Sequence, residues 1–122
     1  MPVRGIRGAT TAEANTRDAI LSATRDLLEA LVQANGLREA DVASLYFTVT
    51  PDLDAAFPAA AARWMGWSLV ALLDAQAPRV ADDLPRCIRV LIHWNTDSAS
   101  GDIRHVYLRK ARQLRPDRAR PE

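Results

Sequence analysis

Cysteine, lysine and histidine are almost missing from these 122 residues, which hold one cysteine (Cys87), one lysine (Lys110) and two histidines (His93 and His105). A single cysteine excludes an internal disulfide framework and fits a reducing compartment. With two histidines, one cysteine and neither HExxH nor CxxC spacing, no metal-ligand set is legible. No serine stands in a G-x-S-x-G elbow, so a nucleophilic triad has no support and both histidines read as structural. There is no G-x-G-x-x-G or Walker loop, since Val3-Arg4-Gly5-Ile6-Arg7-Gly8 has too few glycines at the wrong spacing. No apolar run approaches the roughly 20 residues that span a bilayer, and no apolar signal core opens the chain. The expected location is therefore the cytoplasm, with no membrane partner. A net charge of +1 sets up no global field toward nucleic acid.

What the chain does have is arginine, fifteen of them. Arg4, Arg7, Arg63, Arg86, Arg89, Arg104 and Arg115 stand in segments that otherwise read as apolar or tightly turned. Arg89 lies in the middle of the strand-like run Cys87-Ile88-Arg89-Val90-Leu91-Ile92, where a guanidinium needs a partner. Several guanidinium forks together suit a small dicarboxylate, because each fork binds a carboxylate at two points. Arg7, Arg89, Tyr107 and Arg115 form the group that a purely structural role explains least well. The six arginines between Arg104 and Glu122 read as a solvated tail, or alternatively as a nucleic-acid patch.

At 48% apolar and 25% charged, the chain reads as one globular domain spanning residues 1–122. Residues 2–10 read as a glycine-containing strand. Asn15-Thr16 offers an N-cap, and Ile20, Ala23, Leu27, Ala30, Leu31 and Ala34 mark one stripe of a long helix that Asn35-Gly36 ends. Residues 39–43 suggest a helical turn, 45–50 a strand, and Phe57-Pro58 the opening of a short helix that runs to Gly66. Further strands are expected at 67–73, 86–94 and 103–108, with a polar, turn-rich stretch from Asp74 to Pro85 and one helical turn near 110–113. The pattern β-α-β-α-β-β-β predicts an α+β (mixed α/β) fold: a five-stranded mixed sheet with one long and one or two short helices. Those helices are too few to cover both sheet faces, which favours an oligomer.

Taken in order, several segments resemble the monofunctional chorismate mutases of the trimeric, barrel-like class. They are Arg4-Gly5-Ile6-Arg7-Gly8-Ala9-Thr10-Thr11, Thr50-Pro51-Asp52-Leu53, Phe57-Pro58-Ala59, Arg63, Cys87-Ile88-Arg89-Val90, Thr96-Asp97, Ile103-Arg104-His105-Val106-Tyr107-Leu108 and Leu114-Arg115-Pro116-Asp117. The resemblance covers nearly the whole chain. It implies a homotrimer forming a pseudo α/β barrel, with active sites in clefts between subunits. One wall would come from Phe57, Ala59 and Arg63. The other would come from Arg7, Leu72, Leu73, Asp74, Arg89, Tyr107, Leu114 and Arg115 of the neighbour. The reaction implied is the Claisen rearrangement of chorismate to prephenate, with no cofactor and no metal. Arg89 would stabilise charge on the breaking ether oxygen, Arg7 and Tyr107 would hold the enolpyruvyl carboxylate, and Arg63 and Arg115 would attract the other carboxylate or close the mouth.

Three positions depart from the family pattern. The family has a glutamate after the third strand where this chain has Ala77, and a small residue three positions earlier where it has Asp74. Asp74 is the expected substitute for the missing carboxylate. That role requires either a bend or a family glutamate that reaches back toward this position, because residues three apart in a straight strand point to opposite faces about 10 Å apart. A third departure, Ala60 where the family usually has lysine, removes a secondary charge contact. Three function classes follow: a chorismate mutase, a catalytically weak chorismate- or dicarboxylate-binding trimer kept alive by Ala77, and a nucleic-acid module using the tail.

Overall fold

The structure is a computed structural model that describes residues 1–114. The apolar stripe expected near residue 20 becomes helix α1 (Arg17–Asn35), which buries Ile20, Ala23, Leu27 and Leu31. Thr16 caps it, its Oγ1 accepting from the Ala19 N–H at 3.1 Å, and Asp18 sits at the positive end of the helix dipole. Gly36, at φ 69°, ends the helix by returning its N–H to the Val32 carbonyl.

Strands β1 (Val3–Thr11), β2 (Val42–Val49), β3 (Ala71–Gln76), β4 (Cys87–Asn95) and β5 (Val106–Tyr107) form one mixed sheet in the order β3-β2-β4-β1-β5. The central strand β4 runs antiparallel to β1 and β2, while β3 pairs with β2 and β5 with β1 in parallel. A parallel pair needs a crossover, and the short helix α2 (Ala59–Trp64) lies in the one between β2 and β3. The α+β class and the five-stranded mixed sheet agree with the reading of the sequence.

Two strands differ from it. The third begins at Ala71, not at Trp67, because Trp67 stays with α2. Gly66 turns at φ 89°, the Trp67 N–H returns to the Ala62 carbonyl at 3.1 Å, and the indole is buried. Asp74 consequently sits inside β3 and does not end it. The fifth strand is two residues long because side chains take the ladder's partners. The Arg104 N–H donates to Asn35 Oδ1 at 2.9 Å, and the Arg7 N–H donates to His105 Nδ1 at 2.9 Å.

Strand alternation gives the sheet two unlike faces. On one, Ile6, Leu45, Phe47, Ile88, Val90 and Ile92 pack against Leu27, Leu28 and Leu31 of α1 and Ala62 of α2. Each such fully buried side chain contributes roughly 1.5–3 kcal/mol. Gly8 allows α1 this close: a Cβ there would stand 2.9 Å from Leu31 Cδ1, 3.1 Å from Leu27 Cδ1 and 3.2 Å from the Val106 carbonyl oxygen. On the other face no α-helix covers Tyr46, Leu91 and Leu73, which are 40%, 37% and 56% exposed.

Candidate active site

Register places the arginines. Ala75, Thr48, Arg89, Ala9 and Tyr107 are successive partners across β3, β2, β4, β1 and β5. Their side chains therefore leave the same face, the one opposite the helices. Arg7, two residues before Ala9, points the same way. So does Leu73, which pairs through Tyr46 and Leu91 to Arg7. Leu114 packs beside Tyr107 in a small cluster with Ala9, Cys87 and Ala111. Of the expected wall, Arg7, Leu73, Arg89, Tyr107 and Leu114 thus come together, and Arg115 lies outside the described residues.

The chemistry of this group is unusual for a sheet surface. The Arg89 Nη2 donates to Asp83 Oδ1 at 3.1 Å, with both side chains about three-quarters buried (23% and 24% exposed). The Tyr107 ring is buried, and its Oη has no hydrogen-bond partner among the described residues. Leaving such a hydroxyl unsatisfied costs about 1–3 kcal/mol, which a ligand oxygen would recover. The Arg7 guanidinium makes no ion pair among the described residues. Burial pushes the neighbouring Cys87 thiol up to about 11 against the opposing pull of Arg89, so it is a neutral packing group and no thiolate nucleophile. Beside Arg89 opens a cleft of ≈ 550 Å³, lined by Thr48, Gln76, Ala77, Pro78, Val80 and Asp83 among others.

The second expected wall stands elsewhere. Phe57, 69% exposed, precedes α2, which carries buried Ala59 and exposed Arg63 on the helix-covered side of the sheet. Phe57, Pro58, Arg17, Val49 and Asp74 line a separate cleft of ≈ 480 Å³. Among the described residues, this wall and the Arg89 face line separate clefts.

Asp74 belongs to the second group. Its Oδ1 accepts the Ala59 N–H at 3.0 Å, at the start of α2. Burial raises its carboxyl above the ordinary value, opposed by that N–H and by the charge of Arg63. The bend that would carry it to the Arg89 face does not occur. β3 pairs residue for residue with β2, and the Ala77 N–H continues the pairing to the Val49 carbonyl at 2.8 Å. Asp74 and Leu72 therefore turn toward the helices, Leu72 packing on the main core, while Ala77 opens into the Arg89 cleft. The structure does not bring Asp74 or Leu72 to Arg89. The carboxylate that does reach Arg89, Asp83, was not singled out by the sequence. Its only signal is the Asp82-Asp83 pair in a polar loop, where no periodicity says which way a side chain points.

Among the described residues, no three His, Cys, Asp or Glu side chains gather as a metal set, and no helix is long and apolar enough to cross a membrane. The basic C-terminal stretch is partly tied down: the Arg109 guanidinium donates to the Thr11 carbonyl and pairs with Asp26 at 3.0 Å. Residues 115–122 of that tail lie outside the described residues.

Residues 3–118 match the family described as chorismate mutase type I. The chain is 53% identical over 116 residues to the chorismate mutase AroH of Thermus thermophilus, covering 94% of this chain and 95% of that protein. It is 45% identical over 118 residues to the chorismate mutase AroH of Bacillus subtilis, covering 96% and 93%. Its fold superposes on the solved chorismate mutase from Clostridium thermocellum with a TM-score of 0.90 at 51% identity, covering 91% of this chain and 99% of that one.

Proposed function

Since the chain belongs to the chorismate mutase type I family, we propose that its open sheet face performs that family's reaction. The protein is a chorismate mutase: an isomerase that converts chorismate to prephenate in aromatic amino-acid biosynthesis. The alternative of a catalytically weak dicarboxylate-binding trimer is not favoured, because named mutases match nearly the whole chain at 45% and 53% identity. The single observation that carries the mechanism is the Arg89 row, which sets on one sheet face a partly buried guanidinium and a buried tyrosine hydroxyl that has no hydrogen-bond partner among the described residues.

The rearrangement is unimolecular. A C–O bond breaks as a C–C bond forms, and negative charge builds on the ether oxygen. Arg89, held before substrate arrives, meets that charge and stabilises the transition state more than the ground state. Arg7 and the Tyr107 hydroxyl hold the enolpyruvyl carboxylate and favour the compact conformer. Arg63 and Arg115 attract the ring carboxylate or close the mouth, and Phe57, Ala59, Leu73 and Leu114 exclude water. The two walls lie apart in one chain, and the uncovered face exposes Tyr46, Leu73 and Leu91. Both features support a homotrimer in which the Phe57–Arg63 wall of one copy closes over the Arg89 face of the next. A cytoplasmic location completes the reading, with no nucleic-acid or membrane partner.

The test is chorismate consumption by the purified protein with prephenate identified as product, beside Arg89→Ala. Turnover that falls on the order of 10³-fold in the variant supports the proposal. No turnover above the uncatalysed rate in the parent overturns it.

A further inference from the structure

Breaking the ether bond leaves the ring fragment electron-poor while the departing oxygen becomes electron-rich. A site for this reaction gains from a carboxylate on the ring side as well as a cation on the oxygen side. Just past the end of β3 the residue that lines the Arg89 cleft is Ala77, which carries no charge. The loop that follows returns one. Asp83 lines the same cleft, and its Oδ1 accepts both the Arg89 Nη2 at 3.1 Å and the Leu84 N–H at 2.8 Å. No hydrogen bond engages Oδ2 among the described residues, and no second ion pair competes for the group.

The loop is built to hold that carboxylate in place. It leaves β3 through the Ala77–Val49 hydrogen bond and closes on itself where the Asp83 N–H reaches the Val80 carbonyl. It is pinned at its end by the Arg86 N–H donating to Asp52 at 2.8 Å. Leu84 packs into the Tyr107 cluster, so the residue after Asp83 is anchored on the site's own floor. Asp82 adopts φ 65°, a left-handed conformation that aspartate accepts more readily than most residues and that turns the chain just before Asp83.

We propose that Asp83 is the site's carboxylate, supplied from the loop into the space that Ala77 leaves. Oδ1 positions the Arg89 guanidinium, and Oδ2 accepts the hydrogen of the substrate's ring hydroxyl and faces the ring as positive charge develops. Asp83 gives and takes no proton. The inference rests on the mutase reading above.

The experiment compares kcat and KM for chorismate in the parent, Asp83→Asn, Asp83→Ala and Asp83→Ala/Ala77→Glu, with trimer mass recorded for each. Asp83→Asn keeps the shape and the acceptor for Leu84 N–H, so it remains informative if Asp83→Ala does not fold. The expected result is a fall in kcat on the order of 10²-fold in both single variants, with KM changed less. A glutamate at position 77 should then restore at least about tenfold, which repair of a merely structural defect would not do. Single variants within about threefold of the parent, or a glutamate at 77 that restores nothing, overturn the assignment of Asp83 while the mutase reading stands. An inactive parent overturns both.

Discussion

The two faces of the sheet come from the same alternating strands, yet one is closed and the other is left open. Between Ile88 and Ile92, even positions bury apolar side chains under α1, and Gly8 is trimmed to let Leu27 and Leu31 approach. Between Cys87 and Leu91, odd positions carry a buried neutral thiol, an arginine paired to a loop carboxylate, and an exposed leucine. The covered face is the folding core. The open face holds what folding alone would remove: a buried hydroxyl at Tyr107 and a guanidinium at Arg7, neither paired among the described residues, and a stripe of exposed apolar side chains. Those costs are tolerable where a substrate and a second copy complete the surface.

A charge introduced on each face separates the two roles most sharply. Leu27→Asp places a carboxylate in the fully buried core and is expected to cost more than about 3 kcal/mol, enough to prevent folding of a marginal domain. Leu91→Asp, on the open face, is expected to keep the circular-dichroism signature of the fold while the species sediments as a monomer and turnover disappears. Retention of the parent's oligomeric state by Leu91→Asp would break the comparison.

Tyr107→Phe draws a finer line. Removing a buried hydroxyl that has no partner among the described residues should leave the denaturation midpoint unchanged or higher. The lost contact to substrate should lower kcat/KM about tenfold, the worth of one hydrogen bond to a charged group. A fall in stability would mean that Oη is satisfied within the folded chain.

The smallest effect concerns Asp74, on the covered side. Its carboxyl is raised in the folded protein above the ordinary 3.8, chiefly by burial. The folded state then holds the proton more tightly than the unfolded one. The stability this contributes is fully present below pH 3.8 and is lost as pH rises through the raised folded value. Asp74→Asn, which keeps an acceptor for the Ala59 N–H, should remove that dependence. Urea midpoints from acid to neutral pH should show the parent losing ground to the variant. A parent that gains on the variant as pH rises would reverse the assigned sign.

The core was legible in the sequence because periodicity reports it: the α1 stripe, its Thr16 cap and its Gly36 stop are local signals. The resemblance singled out Arg7, Arg89 and Tyr107 together, and strand register accounts for their shared face. Asp74 and Asp83 were not separable in the same way. Capping of α2 by Gly66 and Trp67 slid β3 toward the C-terminus, which kept Asp74 in a straight strand facing the helices. A one-residue change of parity inverts a strand's faces, and parity follows from pairing, not from composition. Asp83 lies in a loop whose direction depends on Asp82 turning left-handed and on Leu84 packing below, neither of which has a period to read.

The central claim is that the open face is half a site, completed by the α2 wall of another copy. Coexpression of Arg63→Glu with Arg89→Ala tests it most directly, since each variant spoils one wall and spares the other. Random mixing around a closed ring leaves about a quarter of the sites with two intact walls, so the mixture should recover about that fraction of parental turnover while each variant alone stays near background. A mixture no more active than its components would contradict the claim and return the whole site to a single chain.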